Sequence, residues 1–165
     1  MIIIGYPGVG KTTASKMYRE IVDLPSYLFD DKNTYCDVAI NLSKQNLIVC
    51  VSSHKEVVEK LLTSDEPICV VYPNENLKLI WVNIVRRRYL EDKTDRNYRA
   101  LMRVWGHFDE DIEYLMSTPF EKVELSDGEF LVHKLVANEP EEDKTVIDEE
   151  ASEEEAPENE IEDSE

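Results

Sequence analysis

Apolar residues come along this chain in two alternating patterns. Short unbroken runs, Ile2-Ile3-Ile4, Leu47 to Val51 and Ile68-Cys69-Val70-Val71-Tyr72, have the length and β-branched content of strands covered on both faces. Between them lie stretches whose apolar positions recur every three or four residues, the spacing of a helix with one buried side. These are Ala14, Met17, Tyr18, Ile21 and Val22 within Thr12 to Val22; Tyr35, Val38, Ala39 and Leu42; Val57, Val58, Leu61 and Leu62; and Leu77, Ile80, Trp81, Ile84 and Val85, which run into Arg86-Arg87-Arg88. Two weaker strands complete the set: Tyr27-Leu28-Phe29, reset by Pro25 and ended by Asp30-Asp31, and Val123 to Leu125. Tyr98, Leu101, Met102 and Trp105, then Phe108, Ile112, Leu115 and Met116 beyond Gly106, predict two helical pieces. Phe130 to Val136 reads as a final helix or, through Asp127-Gly128, as a hairpin partner. Strand and helix in alternation predict an α/β fold with a doubly wound, mainly parallel sheet, in which ligands gather beyond the carboxyl ends of the strands.

The first strand is followed at once by Gly5-Tyr6-Pro7-Gly8-Val9-Gly10-Lys11-Thr12, a GxxxxGK[ST] pattern that continues into Thr13 and a helical stretch. Glycines let the backbone turn tightly and come close to a ligand, so that successive N–H groups face phosphate oxygens. Lys11 is placed to reach the β- and γ-phosphates and Thr12 to ligate Mg²⁺, with the start of the next helix adding its positive dipole end. The expected ligands are therefore ATP and Mg²⁺, held by Gly5 to Thr13.

The 165 residues suffice for one α/β domain with a proper core. The formal charge of −18 is unevenly spread: residues 138–165 carry 15 acidic residues and one basic one, leaving a net −4 on residues 1–137. The acidic segment has few apolar residues and no aromatic one, so it is expected to be a disordered, solvated tail outside the fold; its other reading is an arm that engages a protein partner. No stretch reaches the length of a membrane span and no cleavable leader pattern opens the chain, which predicts a cytoplasmic protein without a membrane partner. Cys36, Cys50 and Cys69 are too widely spaced for a metal knuckle, and Cys50 and Cys69 fall inside strand candidates, where a cysteine is a small core residue.

With these residues in view, the chain resembles the P-loop nucleoside and nucleoside-monophosphate kinases, especially small kinase-like proteins encoded by bacteriophages. The resemblance covers about Met1 to Leu125. It rests on GYPGVGKTT, on Ser52-Ser53-His54 after the third strand, on Tyr72-Pro73-Asn74 before the Leu77-Lys78 helix, and on the arginine-rich stretch beyond Trp81. It implies a five-stranded parallel sheet in the order 2-3-1-4-5, with a helical lid between the fourth and fifth strands that brings arginines over the phosphates.

Residues 86–103 hold seven basic residues against three acidic ones, a positive island in an acidic body. Arg96, Arg99 and Arg103 lie at i, i+3 and i+7, one face of a helix that Thr94 and Asp95 are placed to cap, with Tyr89 to Lys93 as the mobile turn before it. Phosphoryl transfer is mostly alignment and neutralisation of spreading negative charge. Arg88, Arg96 and Arg99 are the residues expected to act there, with Lys11. Asp30 and Asp31, after the presumed second strand, are candidates to orient the acceptor, accept its proton or anchor the metal; Asp-Asp-Lys-Asn is equally turn chemistry. The third strand ends in Ser52-Ser53-His54, without the acid of a motor ATPase or switch GTPase. His54 reads as a helix-start residue. The expected function is ATP-dependent phosphoryl transfer to a nucleoside or deoxynucleoside monophosphate. The alternatives are a modified nucleotide or a polynucleotide end as acceptor, or a non-catalytic nucleotide-binding scaffold.

Overall fold

The computed structural model describes residues 1–136. Five parallel strands, β1 (Ile2–Gly5), β2 (Ile21–Asp23), β3 (Ile48–Ser52), β4 (Ile68–Pro73) and β5 (Glu121–Leu125), form one sheet in the order β2-β3-β1-β4-β5. Five helices connect them, α1 (Lys11–Met17), α2 (Lys32–Lys44), α3 (Lys55–Leu61), α4 (Lys78–Glu91) and α5 (Asp95–Ser117), and α6 (Leu131–Val136) follows β5. The expected α/β class, parallel sheet and strand order are all present. Right-handed crossovers in this order require α1 on one face and α2, α3 and α5 on the other; accordingly α2 packs on α3, and α6 returns to lie against α1. Among the described residues no helix is long and apolar enough to cross a membrane. The acidic segment 138–165 lies outside the described residues.

The core follows from the apolar runs. β1 is central and pairs with β3 through Ile2↔Val49 to Gly5↔Ser52, and with β4 through Ile2↔Ile68 to Gly5↔Val71. Ile2, Ile3, Ile4, Val49, Cys50, Val51, Val70 and Val71 are fully or almost fully buried, as befits strands covered on both faces. Cys36, Cys50 and Cys69 are buried and unpaired; burial pushes the Cys50 thiol up to about 12 and the Cys69 thiol up to about 11, which suits core residues and not ligands.

Three boundaries differ from the sequence reading. First, α1 stops at Met17 because Tyr18 is already extended, with φ −122° and ψ 124°. Ile21 and Val22, expected on the helix, instead form β2, which pairs with β3 through Ile21↔Ile48 and Asp23↔Cys50. Tyr27-Leu28-Phe29, expected as the second strand, is instead a single 3-10 turn, Ser26–Leu28, with Phe29 as its C-cap, and Tyr27 and Leu28 are exposed. The helical spacing of Ala14, Met17, Tyr18, Ile21 and Val22 was a coincidence of two adjoining elements.

Second, the two helical pieces around Gly106 are one helix of 23 residues. Gly106 costs about 1 kcal/mol in a helix interior, and the continuous buried stripe Val104, Phe108, Ile112 and Leu115 outweighs it. Third, the expected mobile turn Tyr89 to Lys93 is mostly helix. Only residues 92–94 connect α4 to α5, and they are tied down: Thr94 Oγ1 accepts from Asn97 N at 3.3 Å, and the buried Asn97 Nδ2 donates to Asp92 O at 2.8 Å. Thr94 is therefore the N-cap, as the sequence predicted.

Candidate functional site

The turn from β1 into α1 is fixed from three sides. Tyr6 N donates to Val71 O of β4 at 3.0 Å, Leu131 N of α6 donates to Val9 O at 2.9 Å, and the buried Trp81 of α4 donates its indole N–H to Pro7 O at 2.7 Å. Gly8 and Gly10 sit at φ +88° and +96°, the left-handed region that a side chain disfavours. At Gly5 a Cβ would stand 2.8 Å from Lys11 Cδ, so any side chain there would push the lysine stem aside. Among the described residues, the N–H groups of Gly8, Gly10, Lys11, Thr12 and Thr13 have no protein acceptor, so five donors lie along one short turn whose shape the neighbouring elements set. Helix α1 has only seven residues, which leaves these amides, more than any helix dipole, as the attraction for an anion.

Lys11 folds back over this turn, its Nζ donating to Gly5 O at 2.7 Å and Tyr6 O at 3.2 Å. Burial pushes its pKa down to about 8, helped by Arg88 and Arg103 and opposed by Asp23. An ammonium whose charged form is disfavoured by burial gains from the arrival of negative charge.

Thr12 Oγ1 donates to Asp23 Oδ2 at 2.5 Å. Because β2 is Ile21–Asp23, the carboxylate at the carboxyl end of the second strand is Asp23, not Asp30 or Asp31, and it faces the first turn of α1. Asp31 is the N-cap of α2: Oδ1 accepts from Asn33 N at 2.6 Å, and the Thr34 hydroxyl donates to Oδ2. These hydrogen bonds, the one from Thr34 foremost, hold its carboxyl below the usual carboxylate range. Asp30 is exposed in the connection before the cap. Asn serves as well as Asp in an N-cap, so Asp31→Asn is expected to leave both the thermal midpoint and any turnover essentially unchanged, as melting curves and rate assays on the variant will read.

Among the described residues no three His, Cys, Asp or Glu side chains converge on one point. Thr12 and Asp23 nevertheless fit Mg²⁺, which takes oxygen ligands, commonly one or two carboxylates completed by water and substrate phosphates.

Of the arginines expected to act, Arg88 lies within electrostatic reach of Asp23. Burial and then the charge of Arg96 lower its pKa, while Asp23 and Asp92 act in the other direction. Arg96 reaches from the start of α5 to the turn after β2, its guanidinium 5.1 Å from the ring centre of Tyr27. Arg99 is exposed, and no contact ties it to this group. Arg103 has a structural post: Nε donates to Asp111 at 2.7 Å and a terminal nitrogen to Ser53 O at 2.9 Å, with the guanidinium 5.7 Å from the Tyr6 ring. It clamps α5 to the end of β3 and to the glycine turn. Arg103→Met leaves Asp111 and a buried backbone acceptor without their charged donor, and is expected to destabilise the protein by about 2–3 kcal/mol in urea unfolding.

Around the turn, His54 is the N-cap residue of α3, as read from the sequence, with its ring Nδ1 3.0 Å from Ser52 Oγ. Tyr6 is fully buried, its ring edge-on to Phe108, and its hydroxyl has no partner within hydrogen-bond geometry among the described residues. Sequence reasoning missed Asp23, Tyr27 and the Trp81 brace. The signal for Asp23 was an acid ending the apolar pair Ile21-Val22; Tyr27 and Trp81 carried none, because aromatic spacing does not distinguish a brace from core. Compared with protein-family models and with curated protein sequences, the chain matches none.

Proposed function

We propose that the protein is an ATP-dependent phosphotransferase whose acceptor is a nucleoside or deoxynucleoside monophosphate. The observation that carries the reading is the glycine turn: five amides without protein acceptors, a lysine folded onto the same turn, and a hydroxyl–carboxylate pair at its end. This set of groups suits a triphosphate with its metal better than any other small anion, since it offers donors, a movable cation and hard oxygen ligands together.

In this reading Gly5 to Thr13 hold the phosphates of ATP, and Lys11 leaves the carbonyls of Gly5 and Tyr6 for the β- and γ-phosphates. Thr12 and Asp23 would hold Mg²⁺, which supplies neutralisation of the phosphate charge when bound. Arg88 and Arg96 add positive charge on the transferring group, where it spreads over the equatorial oxygens. The acceptor stands between the exposed Tyr27-Leu28 turn and the start of α5, the gap that Arg96 already spans. Arg99 is left as a solvated residue of the same helix face.

The test is direct. The purified chain is incubated with Mg²⁺, γ-labelled ATP and a panel of nucleoside monophosphates, deoxynucleoside monophosphates and short oligonucleotides. Label transferred to a monophosphate is the expected result, label on an oligonucleotide end would move the acceptor to a polynucleotide, and no labelled acceptor in any mixture would leave a nucleotide-binding scaffold.

A further inference from the structure

Among the described residues, nothing covers an apolar groove on the outer surface of α4 and α5. A cavity of ≈ 310 Å³ opens there among Arg86, Tyr89, Leu90, Leu101, Met102 and Trp105. Leu90, Met102 and Trp105 are 56%, 47% and 64% exposed, a large apolar area to leave in water. Its rim is basic. Arg86 lines the wall, and Arg87 and Arg99 stand three residues before Leu90 and Met102, the spacing of neighbours on a helix surface. Glu91, Asp92 and Asp95 are the acidic residues nearby in sequence, within a stretch that carries seven basic residues.

We infer that this groove is the docking site of the chain's own acidic segment, with Val146 and Ile147 as the apolar anchor. The segment matches the groove in both respects. Its 15 acidic residues complement the arginine rim, and Val146-Ile147 is an aliphatic pair set between Glu141-Glu142-Asp143 and Asp148-Glu149-Glu150. The reach is adequate. Val146 lies ten residue steps beyond Val136, a span of up to about 33 Å when extended. Helix α6 starts beside α4, where the Phe130 ring lies 6.1 Å from that of Trp81, and its six residues advance only about 9 Å. From Trp81 to Leu90 along α4 is about 14 Å.

A second copy of this face is the poorer occupant, because it would bring two arginine rims together. Attachment in cis also presents the acidic segment at an effective concentration in the millimolar range, enough for a short anchor supported by charge. Docked there, the segment covers the outer side of the two helices that carry Arg88 and Arg96, so its release would alter the freedom of the proposed phosphate-binding arginines without touching the glycine turn.

The chain has two tryptophans, Trp81 buried and Trp105 in the groove, so their indole N–H resonances give an internal control and a probe in the full-length protein. In the full-length double variant Val146→Asp, Ile147→Asp, the Trp105 resonance is expected to shift while Trp81 stays, at every protein concentration. In the unsubstituted chain, high salt should move Trp105 in the same direction, since the rim contacts are screened. A Trp105 resonance that does not respond to the substitutions overturns the inference. So does a shift shared by Trp81, which reports a change in the body, and so does a shift that disappears on dilution, which assigns the groove to a second copy. None of these readouts depends on ATP or on an acceptor.

Discussion

Lys11→Met is expected to lower phosphoryl transfer by about 10²–10³-fold, the usual cost of removing one preorganised charge from the transferring group. It should do so without unfolding the protein. The lysine stem packs against Gly5, where a Cβ would push it aside, and the unbranched methionine keeps that stem. The two hydrogen bonds to Gly5 O and Tyr6 O are lost, but so is the burial of an ammonium already pushed down to about 8, so the net change in stability is held to about 1 kcal/mol. A variant that transfers phosphate at the original rate would remove Lys11 from the mechanism.

Asp23→Asn is the second large effect and separates this account from the sequence-based one. Asparagine keeps an acceptor for the Thr12 hydroxyl but withdraws the negative charge that would hold Mg²⁺ beside it. Turnover should fall by about 10-fold to 100-fold, the range seen when groups that support a metal are removed, and part of the loss should be recovered by raising Mg²⁺. Asp30→Asn and Asp31→Asn should show neither the loss nor the metal dependence. The reverse pattern, with Asp31 essential and Asp23 dispensable, would contradict the site as described.

The contrast between Asp23 and Asp31 shows how much was legible in the residues. Long, strongly patterned runs were read correctly: Ile2 to Ile4, Ile68 to Tyr72 and Leu47 to Val51 are strands because nothing else buries continuous β-branched runs on both faces of a sheet. The glycine turn was legible because its chemistry needs φ values that only glycine adopts freely, and Gly8 and Gly10 have them. The short edge strand β2 was not, since three residues at the sheet edge are fixed by pairing with Ile48 to Cys50, a contact with no local signature. One misplaced strand then carried the acidic candidates, Asp30 and Asp31, seven and eight residues too far along. Arg103 shows the same limit: its helical spacing with Arg96 and Arg99 was correct, yet its partners Asp111 and Ser53 come from its own helix two turns on and from the end of β3. Charge count located the basic island; tertiary contacts decided which arginine is a clamp.

The central claim is that the turn between β1 and α1 grips a metal-bound triphosphate through its amides and Lys11. Isothermal calorimetry of Mg-ATP binding to the full chain, run in buffers of different ionisation enthalpy, tests it most directly. Burial pushes the Lys11 pKa down to about 8 in the free protein, which favours the neutral amine at about pH 9 and the ammonium at about pH 7; bound phosphate raises the pKa again. Binding is therefore predicted at both pH values, with uptake of close to one proton per nucleotide at about pH 9, almost none at about pH 7, and no such uptake in Lys11→Met. Absence of binding heat, or the same proton uptake with and without Lys11, would contradict it.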